Sequence, residues 1–85
     1  MTPGTLRPVV LDVRPTIAAG GDPYDEIMAA AGSAGPGQDL VIVNSFEPFP
    51  LYERLAALGF THGSARLPNG DWQVTFRRGD AMRER

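Results

Sequence analysis

The stretch from Asp39 to Gly59, DLVIVNSFEPFPLYERLAALG, constrains this chain more than any other. It joins the most apolar run of the sequence to its best-patterned helix through a turn built on Pro48 and Pro50. Leu40 to Val43 has no polar side, as expected of a strand inside a sheet rather than at its edge. Leu51, Leu55 and Leu58 then recur at helical spacing, flanked by Tyr52 and Ala56, and Gly59 stops the helix in the left-handed cap position. Phe49 precedes a proline and is biased away from helical angles, which places the regular helix from Pro50 onward.

The chain before this stretch reads as a strand and a helix. Residues 8–14 alternate as a half-buried strand, with Val9, Leu11 and Val13 on one side. Pro15 to Gly21 is a loop by composition. Asp22-Pro23 opens a helix: Asp22 caps, Pro23 suits the first helical position, and Asp25 with Glu26 places negative charge near the positive end of the helix dipole. Tyr24, Ile27, Met28 and Ala31 form one apolar stripe that ends at Gly32, and Gly35-Pro36-Gly37 turns the chain into the second strand. Strand, helix and strand make a βαβ unit with the strands parallel.

Asn69-Gly70 between two alternating runs signals a two-residue hairpin. Pairing Pro68 with Asp71 sets Leu67 opposite Trp72, Ala65 opposite Val74 and Gly63 opposite Phe76 on the core face. Arg66, Gln73, Ser64, Thr75, His62 and Arg77 then fall on the other face, His62 opposite Arg77. The expected fold is a two-layer βαβαββ α/β sandwich, a four-stranded mixed sheet with both helices on one face. The opposite face stays open and carries an apolar strip from the second strand. Residues 8–78 form the domain, residues 1–7 a loose lead-in, and residues 79–85 a charged tail.

Composition removes whole classes of function. The sequence has 85 residues and no cysteine, which excludes disulfides, thiolate metal sites and thiol nucleophiles. A net charge of −2 with interspersed signs provides no footprint for a phosphate backbone, so nucleic acid is not expected as a partner. No apolar run approaches the roughly 20 residues of a membrane span, and no secretory signal opens the chain, so the expected location is cytoplasmic.

The run LDVRP from Leu11 to Pro15, the helix opening on Asp22-Pro23, and EPFPLYERL from Glu47 to Leu55 together resemble the TusA/SirA-like superfamily of small βαβαββ proteins. More narrowly, they resemble its bacterial domain-of-unknown-function branch, marked by an LDVRP strand and a DP-x-PLY turn. The resemblance covers Val9 to Arg78. It implies a carrier that docks on partner proteins, with a persulfide-bearing Cys-Pro pair at the start of the first helix. Asp22-Pro23 stands there in this chain, and a carboxylate cannot carry sulfane sulfur. The branch often places His-Asp ahead of the turn proline, where this chain has Phe46-Glu47, so no metal or heme role carries over and no cofactor is expected.

Open α/β sheets bind ligands beyond the carboxyl ends of their strands, so Arg14, Asp22, Asn44, Ser45 and Glu47 are the candidate ligand-binding residues. Capping by the carboxylates together with an Arg14 ion pair accounts for them without a ligand. An Asp22–Glu47 acid–base pair, or a hard-cation site adding Asp25 and Glu26, lacks a spacing signature. Phe46, Phe49 and Tyr52 in the turn, with His62 and Arg77 on the open face, are the candidate partner contacts. The function expected is a non-enzymatic binding or adaptor module. It docks a protein partner or a second copy through the Phe46 to Tyr52 turn or the open sheet face. The alternatives are a small-molecule or anion binder at the helix N-termini near Arg14, and an accessory protein of sulfur metabolism.

Overall fold

The computed structural model describes residues 7–35 and 37–78. The expected lead-in and tail, together with Pro36 of the Gly35 to Gly37 turn, lie outside the described residues except for Arg7. In chain order the elements are β1 (Val9–Asp12), α1 (Arg14–Ala18), α2 (Tyr24–Ser33), β2 (Asp39–Asn44), α3 (Phe49–Ala57), β3 (Phe60–Arg66) and β4 (Trp72–Arg78). The four strands form one mixed sheet in the order β1-β2-β4-β3, with β1 and β2 parallel and the other pairs antiparallel. The result is an α/β two-layer architecture.

Its core lies between the sheet and the helices. Leu40 and Ile42 of β2 and Val74 and Phe76 of β4 are fully buried, and they pack with Ile27 and Ala31 of α2 and Leu51 and Leu55 of α3. The partners of Leu40 and Ile42 in β1 are Val9 and Leu11, which complete this side of the sheet. Val10, Asp12, Val41 and Val43 point the other way. The strip expected on the open face is therefore made of valines, and Val10 is its most exposed member.

Four local readings require correction. The segment after β1 is not all loop: Arg14–Ala18 forms a short third helix. Pro15 sits in its first turn, where a missing N–H costs nothing, and Ile17 N–H reaches the Val13 carbonyl at 3.1 Å. Strand β1 correspondingly stops at Asp12. Helix α2 passes through Gly32 to Ser33 and leaves through Ala34 in an extended conformation. Helix α3 begins at Phe49 rather than Pro50, with Pro50 in its first turn, where no N–H is required. Leu58 does not join the inner stripe. It is the cap residue and is 50% exposed, with Gly59 taking the left-handed turn behind it at φ +95°.

The hairpin is shifted by one residue from its expected register. Arg66 pairs with Trp72, Ser64 with Val74 and His62 with Phe76, whereas Ala65, Gly63 and Thr61 face Gln73, Thr75 and Arg77. Leu67 N–H reaches the Asp71 carbonyl at 2.7 Å and Gly70 N–H reaches the Leu67 carbonyl at 2.9 Å, enclosing the three-residue loop Pro68-Asn69-Gly70. Gly70 has φ +92° and no non-glycine residue has positive φ. This is a type I turn closed by a glycine bulge. A two-residue loop would have needed positive φ at Asn69 and an N–H on Pro68, whereas proline is suited to the second position of a type I turn. His62, Ser64 and Arg66 therefore lie on the helix side of the sheet, opposite to the face expected for them.

Candidate functional site

Beyond the carboxyl end of β2, the first turns of α2 and α3 converge on a cleft of about 420 Å³. One wall is Asp22 and Pro23 ahead of α2 with Tyr24 and Ile27 of its first turn, and the other is Pro50, Leu51 and Arg54 of α3. The α3 wall is one helical face, since its positions fall at i, i+1 and i+4. Asn44 at the end of β2, with Phe46 and Pro48 from the turn, completes the lining.

The cleft unites only some of the residues expected at the strand ends. Asp22 and Asn44 line it, and Arg14, Ser45 and Glu47 do not. The Arg14 guanidinium is committed elsewhere. Its Nε and Nη2 donate to Asp12 at 2.9 and 2.7 Å, and its Nη1 donates to Asp71 in the hairpin loop at 2.8 Å. The hydrogen bonds from Arg14 hold the Asp12 carboxyl at a pKa of about 2, below its ordinary 3.8, and the same contacts raise the Arg14 pKa. Asn69 Nδ2 adds a third link by donating to Asp71 at 3.1 Å. Arg14 thus ties β1 to the β3–β4 loop and is not free to receive an anion.

Glu47 accepts the Tyr52 hydroxyl at 3.0 Å, and Ser45 N–H donates to the Asn44 Oδ1 at 2.8 Å. Asp22 Oδ1 accepts the Tyr24 N–H at 3.0 Å. The acidic residues of the first turn of α2 are also accounted for in part, since Glu26 accepts the Thr16 hydroxyl of α1. Among the described residues no cluster of three acidic or histidine side chains is placed to hold a metal ion.

The aromatic residues form a second group beside the cleft. Tyr52 stacks on His62 with centroids 3.7 Å apart, and Phe49 meets Tyr52 edge-on at 5.8 Å. Burial, more than the neighbouring Glu47 carboxylate, holds the Tyr52 phenol above its ordinary 10.0. His62 is therefore not a histidine facing Arg77 on the open face. Arg77 remains on that face and is bound to Asp39 through Nε at 2.7 Å, which raises its pKa. Phe46 and Phe49 are 51% and 63% exposed.

Arg54 went unnoticed in the sequence, although its position four residues after Pro50 places it on the cleft face. Its guanidinium lies 5.1 Å from the Tyr24 ring centroid, bridging the walls of the cleft. Tyr24 and Ile27 were legible as an apolar pair but not as lining, because helical spacing does not distinguish core from cleft.

A family model for an uncharacterized conserved protein, DUF2249, matches residues 10–78. No curated protein and no solved structure matches the chain.

Proposed function

The chain belongs to the DUF2249 family of uncharacterized conserved proteins, and we propose that it acts as a non-enzymatic binding module whose site is the cleft between α2 and α3. One observation carries this reading: the cleft of about 420 Å³ has an apolar lining of Tyr24, Ile27, Phe46, Leu51 and three prolines, with a few polar groups from Asp22, Asn44 and Arg54. Small-molecule sites are of this kind, with volumes of roughly 300–1,000 Å³ and a small number of placed polar groups. The test is chemical-shift mapping on the labelled protein with a panel of small organic probes. Shifts confined to the amides of residues 22–27 and 44–54 support the module, and an unperturbed cleft at millimolar concentrations removes it.

Kinship with the TusA/SirA-like carriers, and with it a bacterial cytoplasmic setting, is part of the same proposal. Asp22-Pro23 lies at the start of α2, where those carriers hold Cys-Pro, and with no cysteine in the sequence the module keeps a place to bind without sulfur chemistry. Among the described residues no helix is long and apolar enough to cross a membrane.

A second reading is favoured by Phe46 and Phe49, two large apolar side chains of the turn left more than half exposed. In that reading a protein partner or a second copy docks on the turn. Sedimentation velocity over a wide concentration range tests the homodimer, because a chain that stays monomeric throughout excludes it, as does a dimer that survives Phe46→Ser with Phe49→Ser.

A further inference from the structure

We infer that the cleft takes a small carboxylate with an apolar body, its oxygens received by Asn44 Nδ2 and the Arg54 guanidinium. The inference rests on the cleft being the binding site and adds the chemistry of what enters.

Asn44 is the starting observation. It is 1% exposed, the single buried polar residue among the described residues, and it lines the cleft. Its amide orientation is set by its neighbour: Ser45 N–H donates to Oδ1 at 2.8 Å, so the atom left over is the donor Nδ2. Nδ2 makes no hydrogen bond to any described residue. Asn44 Nδ2 is not among the fully enclosed unpaired atoms of the described residues, and the cleft that Asn44 lines is the space from which an acceptor can reach it.

Arg54 supplies the charge. The ion pairs of the described residues belong to Arg14 and Arg77, so Arg54 lies over Tyr24 with its fork uncommitted to a carboxylate. An Arg guanidinium matches a carboxylate in geometry as well as sign. The backbone at the start of α3 has little to add, because Phe49 and Leu51 N–H already donate to the Glu47 and Pro48 carbonyls and Pro50 has no N–H. The single acid in the lining, Asp22, has one oxygen on the Tyr24 N–H and opposes an anion placed directly beside it. The carboxylate therefore belongs with Arg54 and Asn44, the side-chain donors of the lining. The apolar body belongs against Ile27 and Phe46.

Hexanoate, 1-hexanol and hexylamine share an apolar body and differ in the head group. Each is titrated into the labelled protein while the Asn44 side-chain NH2 resonance and the Trp72 fluorescence are followed; Trp72 is the cross-strand partner of Asn44. Hexanoate is expected to bind at least about tenfold more tightly than hexanol, the return from one charge-assisted contact, and to shift the Asn44 NH2 resonance. Arg54→Gln should remove the advantage of hexanoate over hexanol. Equal binding of hexanoate and hexanol, or a preference for hexylamine, overturns the carboxylate assignment and leaves the cleft as a binding site. Failure of all three to perturb the cleft overturns both.

Discussion

Tyr52 and His62 stack face to face, with ring centroids 3.7 Å apart and planes within 9° of parallel. The contact joins α3 to the edge strand β3 on the helix side of the sheet, where His62 is the partner of Phe76. The pair should be energetically coupled. A double-mutant cycle of Tyr52→Leu and His62→Ala, read by denaturant unfolding, is expected to give about 0.5–1.5 kcal/mol of interaction. Strict additivity would mean that the two rings do not share a face.

The hairpin provides a second test because its two glycines answer to different constraints. Gly70 takes φ +92° with open space around it, so the cost of a side chain there is in the backbone alone. Gly70→Ala is expected to destabilise by roughly 1–2 kcal/mol. Gly63 has ordinary φ, nothing within 4 Å of an added Cβ, and Thr75 opposite it on the open face. Gly63→Ala should be neutral or stabilising by up to about 1 kcal/mol through the unfolded chain. A large loss at Gly63 would favour the register in which it packs against Phe76.

These positions show how far the chain was legible. The apolar run of β2, the proline turn and the stripes of α2 and α3 specify two layers, because each pattern has one period and one apolar face. Strand pairing was less accessible, since the hairpin depends on a contest between two turn chemistries. Asn69-Gly70 favours a two-residue loop, and Pro68, which prefers the second position of a type I turn, extended it to three. One residue of slip moved His62 to the other face. The cleft was half visible: Asp22 and Asn44 could be placed at strand and helix ends, but Arg14 was drawn away by Asp71, 57 residues distant in sequence. No local pattern encodes a contact of that range.

The local contact of Arg14 with Asp12 gives a pH prediction. Hydrogen bonds from Arg14 depress the Asp12 pKa from 3.8 to about 2. A carboxyl group whose folded pKa is depressed adds stability that is present above its unfolded value and is lost as pH falls through the folded one. The melting temperature of the wild type should therefore exceed that of Arg14→Gln above about pH 4, and the gap should narrow steadily towards pH 2. A gap independent of pH across that window would mean that Arg14 stabilises through packing instead. The contact is exposed, so raising the salt concentration should also shrink the gap.

Asn44 is where stability and binding are expected to part. In Asn44→Leu the Nδ2 donor disappears and an apolar side chain joins Ile27 and Leu51 in the lining of the cleft. The Ser45 N–H loses its acceptor, but Ser45 is exposed and water can replace it. Replacing a buried, incompletely bonded polar group by an apolar one is close to neutral or stabilising, so Asn44→Leu should unfold within about 1 kcal/mol of the wild type or above it. Hexanoate binding should nevertheless fall. A variant losing several kcal/mol would show instead that the Asn44 amide is a structural hydrogen-bonding group, satisfied on both sides within the folded chain. A variant that keeps both its stability and its affinity would leave Arg54 as the sole polar determinant of the cleft. Asn44 reaches this position because β2 ends on a polar residue on its buried face, directly after the apolar pair Leu40 and Ile42. A strand selected only for packing would continue that alternation with an aliphatic side chain, which would remove the donor from the floor of the cleft.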